Sequence, residues 1–80
     1  MKFDFTDFKN RYYQFELDAE PGITDPHVEV TVYRSPTGSS TTIRHIVDGK
    51  VQWWEPDDQR MVSLEARLYL DKVIKNKAFL

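Results

Sequence analysis

The chain has no cysteine in its 80 residues. Disulfide staples, thiolate chemistry and cysteine-based zinc sites are therefore excluded. A small domain without staples is more usual in the cytosol than in secretion, so a cytoplasmic protein is expected. No stretch approaches the roughly 18 consecutive apolar residues of a membrane span. The opening Met1-Lys2-Phe3-Asp4-Phe5-Thr6-Asp7-Phe8 carries acids where a signal peptide carries its apolar region, so it does not read as a targeting segment. Glycine is scarce, with three residues, and the Ser/Thr-rich loop at 35–42 lacks the glycine spacing and lysine of a phosphate-binding P-loop. The net charge of -2 has the wrong sign for a non-specific nucleic-acid binder and is too mild for a mimic of DNA.

What is present describes one small domain over residues 1–80. Hydrophobic residues make up 40% and aromatic residues 14% of the chain, enough to build a core despite its shortness. Charged residues, at 30%, are ordinary for a folded protein.

Ile43 to Ile74 carries the clearest architecture. Asp48-Gly49 sits between two β-rich runs, 41–47 and 50–54, which is the pattern of a tight hairpin. The turn sets the register: Val47 opposite Lys50, Ile46 opposite Val51, His45 opposite Gln52, Arg44 opposite Trp53 and Ile43 opposite Trp54. One face then carries Thr42, Arg44, Ile46, Val51 and Trp53, and the other Ile43, His45, Val47, Gln52 and Trp54. Upstream, His27 to Arg34 alternates Val28, Val30 and Val32 with Glu29, Thr31 and Tyr33, as a half-buried strand does. Ser35 to Ser40 reads as the loop joining it to the next strand.

The first 19 residues fit two periods. Phe5, Phe8, Tyr12, Phe15 and Ala19 follow a helical spacing, whereas Tyr13, Phe15 and Leu17 alternate as in a strand. The aromatic-rich Tyr12-Tyr13-Gln14-Phe15-Glu16-Leu17 is a mediocre helix former, which favours a strand over 11–18. Pro56 with Asp57 and Asp58 announces a helix running to about Lys75, capped by one of the two acids, with Lys72, Lys75 and Lys77 at its negative end. Its apolar residues form two stripes, Met61-Leu64-Leu68 and Val62-Ala66-Tyr69-Val73, extended by Leu70 and Ile74. That arc is wider than one sheet face needs. The expected fold is α+β: an antiparallel meander of three or four strands against one long C-terminal helix.

Chemistry-bearing constellations are thin. His27 and His45 lie on different strands, and with Asp25 they would form a metal site only if the fold joined them. Ser35, Ser39 and Ser40 read as loop serines with no base positioned beside them. No cofactor, metal site or enzymatic activity is expected. Arg44 opposite Trp53 suggests a cation–π pair, or a stacking platform of the kind used for single-stranded nucleic acid. Trp53-Trp54-Glu55-Pro56 places two indoles before a tight connection, one for each face of the strand. The acids Asp4, Asp7, Asp18, Glu20 and Asp25 gather in the N-terminal third and offer an acidic patch for steering a partner.

These features point to a non-enzymatic module that masks a surface of a larger protein. The candidate contact residues are Tyr33, Arg44, His45, Trp53, Trp54 and Glu55. Two alternatives are a nucleic-acid accessory protein using Arg34, Arg44 and the sheet aromatics, and a homodimer formed through the C-terminal helix. In size, composition and lack of cysteine the chain is similar to the compact inhibitors encoded by phages and mobile elements, anti-CRISPR proteins among them. That likeness implies a viral inhibitor of a larger protein or complex.

Overall fold

The computed structural model describes residues 1–34, 36 and 38–77, apart from the side chain of Lys77. Ser35 and Thr37 of the expected loop, and the last three residues, lie outside this range. Five strands form an antiparallel meander in chain order: β1 (Lys2–Thr6), β2 (Tyr12–Asp18), β3 (His27–Arg34), β4 (Gly38–Val47) and β5 (Lys50–Val51). Two helices follow, α1 (Asp57–Met61) and α2 (Leu64–Lys77). The α+β class and the C-terminal helix agree with the sequence. The strand count is five rather than three or four, because the N-terminal segment forms two strands.

Alternation decides which face is the core. Tyr13, Phe15 and Leu17 of β2 face the helix with Val28, Val30 and Val32 of β3, and all six are essentially buried. The register sets Phe15 between Phe3 and Val30, and Tyr13 between Phe5 and Val32. Val62, from the break between the helices, and Ala66, Leu70 and Ile74 of α2 complete the core, the last three as one stripe of four-residue spacing. Tyr69 closes the β1 side by stacking on Phe5, with ring centres 4.5 Å apart. Each fully buried apolar side chain contributes about 1.5–3 kcal/mol. The apolar arc of the helix is only partly used: Leu64 and Leu68, on the opposite side, are 62% and 59% exposed.

Local chemistry makes the connections. Asp48 and Gly49 both have positive φ, 53° and 78°, as a type I′ hairpin turn requires. Glu20-Pro21-Gly22-Ile23 closes with the Ile23 N–H donating to the Glu20 carbonyl at 3.2 Å, and Gly22 at φ 95° fits a type II turn. The β1–β2 connection is organised by Asp7. Its Oδ1 accepts the N–H groups of Lys9 and Arg11, each at 2.9 Å, and its Oδ2 accepts the Tyr13 hydroxyl at 3.3 Å. Asp7, grouped on sequence with the surface acids, is buried here.

Burial pushes the Asp7 carboxyl up. The Arg11 N–H, the Ser63 side chain, the Lys9 N–H and the Tyr13 hydroxyl together pull it down further, so the net shift is downward from 3.8. A carboxyl lowered on folding stabilises the protein above its unfolded pKa, and that contribution is lost as pH falls through the folded value. The wild type is therefore expected to lose stability more steeply than Asp7→Asn as the pH drops below about 4. Urea midpoints measured across pH would show this, and parallel curves would contradict it.

The expected single helix is broken at Val62-Ser63. Val62 is extended, with φ -123° and ψ 116°. Ser63 starts α2 anew: its hydroxyl accepts the Ala66 N–H at 3.2 Å, as an N-cap does. The Ser63 N–H, which a continuous helix would have used, donates instead to the Tyr13 hydroxyl at 3.1 Å. Pro56, not an aspartate, precedes α1 and gives it no side-chain cap.

The meander also ends earlier than the hairpin pattern suggests. Val47 pairs with Lys50 and Ile46 with Val51, and the Gln52 N–H donates to the His45 carbonyl at 2.9 Å. There the ladder stops, so Arg44–Trp53 and Ile43–Trp54 do not pair. The Trp54 N–H is held by the Asp58 carboxylate, which turns the chain away from β4. The far edge of β4 between Gly38 and Ile43 has no strand beside it among the described residues.

Candidate functional site

The helices cover one face of the sheet and leave the other bare. Four rows of side chains cross the bare face. Thr6, Tyr12, Tyr33 and Ser39 form the first, and Asp4, Gln14, Thr31 and Thr41 the second. Lys2, Glu16, Glu29 and Ile43 form the third, and Asp18, His27 and His45 the fourth. Val47 follows on β4 and is half exposed. The rows are tied by side-chain bonds. The Tyr12 hydroxyl donates to Asp4 Oδ2 and the Tyr33 hydroxyl to Gln14 Oε1, both at 3.0 Å. The hydroxyls of Thr31 and Thr41 lie 2.9 Å apart. Those bonds tie the rows together without covering the face.

The six candidate contact residues separate into three places. Tyr33 and His45 stand on the bare face, both exposed. Trp54 and Glu55 lie just beyond the end of β5, and Trp54 is 58% exposed. Trp53 is half-buried and packs on the core, so of the two indoles it is Trp54 that meets solvent.

Arg44 points to the helix side and is buried, as the alternation requires. Its Nε lies 3.1 and 3.0 Å from the two oxygens of Asp58, and its Nη2 lies 2.7 Å from Oδ1. Nη1 donates to the Ile43 carbonyl at 2.9 Å and to the Thr42 hydroxyl at 2.5 Å. The guanidinium stacks on Trp54, 4.2 Å from the ring centre, rather than on Trp53 as the hairpin register suggests. Trp53 has Arg67 above it instead, at 5.9 Å, and Arg67 also holds Glu55. Arg44 thus acts from beneath. It ties Trp54 to the open edge of β4 beside Ile43, so the exposed indole is presented on a rigid support.

The fold does bring the two histidines together. His27 and His45 are cross-strand partners. His45 Nδ1 lies 3.1 Å from Asp25 Oδ1, and His27 Nδ1 donates to the Asp25 carbonyl at 2.8 Å. Among the described residues, however, no three histidines and carboxylates converge in a way that could hold a metal ion. A pocket of about 530 Å³ lies elsewhere, between the β4–β5 turn and α2, lined by Asp48, Lys50, Val51, Asp71, Ile74 and Lys75. Burial pushes the Asp71 carboxyl up against the opposing pull of Arg67. Both histidines lie across the sheet from this pocket, so its carboxylates have no imidazole partner for proton transfer.

Sequence reasoning missed Glu16 and Glu29, which face each other directly across β2 and β3. The signal was in the alternation of each strand. The pairing of strands 13 residues apart in sequence was not. No protein-family model matches the chain, and neither a curated protein nor a solved structure matches it. No helix among the described residues is long and apolar enough to cross a membrane.

Proposed function

We propose that the chain is a non-enzymatic protein-binding module that masks a surface of a larger protein through its bare sheet face and the adjoining Trp54. One observation carries this reading. Tyr33, Ile43 and Val47 remain exposed on the sheet face that the helices leave uncovered, and Trp54 is exposed just past the end of β5. Scattered exposed apolar residues are normal, but several on one uncovered sheet face suit protein contact. The reading extends to inhibitors of the phage and mobile-element kind, anti-CRISPR proteins among them, with the chain's size and composition in support. Burial of Arg44 and the carboxylates on the sheet weigh against the nucleic-acid alternative.

Trp54→Ala is expected to weaken partner binding by about 2 kcal/mol or more, as loss of an aromatic hot spot does. Its effect on folding is limited to the stack on Arg44, worth about 0.5–2 kcal/mol. Trp53→Ala is expected to do the reverse, lowering stability through lost core packing with less effect on binding. Paired melting and affinity measurements separate the two. A large loss of stability from both substitutions would make both indoles core residues and remove the motive for this reading.

A further inference from the structure

We infer that the protein surface met by the bare sheet face is cationic, rich in lysine and arginine of the kind that otherwise holds phosphates. This rests on the protein-binding reading above and adds the chemistry of the partner. The outward strand residues bring four carboxylates, Asp4, Glu16, Asp18 and Glu29, against two ammonium groups, Lys2 on β1 and Lys50 opposite Val47 on β5. Asp25 adds a fifth from the β2–β3 connection, beside His45. The charge is thus sorted by face. Arg11, Arg34 and Arg44 point elsewhere: the first two reach the Arg60 carbonyl at 3.5 Å and the third is buried against Asp58. A nearly neutral chain therefore presents one acidic sheet face, which its net charge of -2 conceals.

Two independent details show that this face is not arranged for its own stability. Glu16 and Glu29 are direct cross-strand partners, a placement in which like charges repel. Glu16 Oε2 is also buried with no hydrogen-bond partner among the described residues, and a carboxylate oxygen left without a donor costs free energy. An approaching guanidinium offsets the repulsion through the exposed carboxylate of Glu29. Tyr12 donates its hydroxyl to Asp4 on the same face, and that bond favours the protonated phenol and raises its pKa. Ile43 ends the Glu16–Glu29 row and Tyr33 stands two residues beyond Thr31, so apolar anchors border the acids on the β3–β4 side. That combination, acids for steering with aromatic and aliphatic contacts for affinity, fits a basic protein surface better than a simple cation.

The test is a titration of isotopically labelled protein with a nona-arginine peptide, followed residue by residue by NMR at low and at physiological salt. The expected shifts centre on Gln14, Glu16, Glu29 and Thr31 and fade as salt rises. Glu16→Gln with Glu29→Gln is expected to weaken binding about tenfold while leaving the melting temperature unchanged or higher, since it removes a repulsive pair. Asp57→Asn with Asp71→Asn removes as much charge from the helix side and is expected to change binding by no more than about twofold. The inference is overturned if the peptide fails to bind at low salt, binds the helix side, or binds the Glu16/Glu29 variant as well as the wild type. A lower melting temperature for that variant would make the pair structural and overturn it too. A natural partner that is lost with Trp54→Ala, yet retained by the Glu16/Glu29 variant at all salt concentrations, would overturn the cationic surface alone and leave the protein-binding reading standing.

Discussion

Asp58→Ala is expected to remove about 3–5 kcal/mol of stability, the usual cost of leaving a buried charge without its partner. A domain of this size is stable by about 4–12 kcal/mol at 0.05–0.15 kcal/mol per residue, so the variant is expected to be marginal or unfolded. Asp58 is fully buried and does two jobs. It takes the Arg44 guanidinium through Nε and Nη2, and it accepts the Trp54 N–H. The first neutralises the only cation on the helix-facing side of β4; the second turns the chain from β5 into α1. The ion pair itself is not expected to be strongly stabilising, because desolvation of both groups offsets their attraction. The double variant Arg44→Met/Asp58→Asn separates these effects. It removes both charges yet keeps an acceptor for the Trp54 N–H, and is expected to recover most of what Asp58→Ala loses. Denaturant melts of the single and double variants measure the coupling. Additive losses would show that Arg44 and Asp58 act independently, contrary to the structure.

The second large effect belongs to Phe15. Phe15→Ala is expected to cost about 3–5 kcal/mol, the transfer and cavity terms for a buried aromatic together. Phe15 lies mid-strand in β2 with Phe3 on one side, ring centres 5.1 Å apart, and Val30 on the other. The ring of Tyr13 is stacked 6.3 Å away on the same strand. Its cross-strand neighbours Phe3 and Val30 are held in place by the sheet register and are not free to collapse into the space. Gln14→Ala, one residue away on the bare face, is expected to change stability by less than about 0.5 kcal/mol. Urea unfolding of the two variants compares the faces directly. A small loss at Phe15 would mean that the helix does not cover this face.

Much of this fold was legible in the chain. The Asp48-Gly49 turn, the valine alternation of β3 and the faces assigned to Thr42, Arg44, Ile46 and Val51 all follow from local chemistry, and the structure agrees. So does the strand reading of residues 11–18. What was not legible depended on distant partners. The helix breaks at Ser63 because the hydroxyl of Tyr13, 50 residues earlier, takes its N–H. The β4–β5 ladder stops because Asp58 takes the Trp54 N–H, and the same carboxylate withdraws Arg44 from the surface. The acidic face was invisible for the same reason. Glu16 and Glu29 become neighbours only through the β2–β3 register, and Asp7, which looked like part of the patch, is drawn into the β1–β2 turn.

We propose that this domain meets another protein through its bare sheet face and Trp54. The most direct measurement is affinity capture from nuclease-treated lysate of the source organism, with three baits compared at equal loading. These are the wild type, the sheet-face variant Ile43→Lys/Trp54→Ala and the helix-crest variant Leu64→Asp/Leu68→Asp. All three must melt at similar temperatures for the comparison to hold. A protein retained by the wild type and by the helix-crest variant but lost from the sheet-face variant is expected. Retention by the sheet-face variant would contradict it, as would loss confined to the helix-crest variant, which would place the interface on α2.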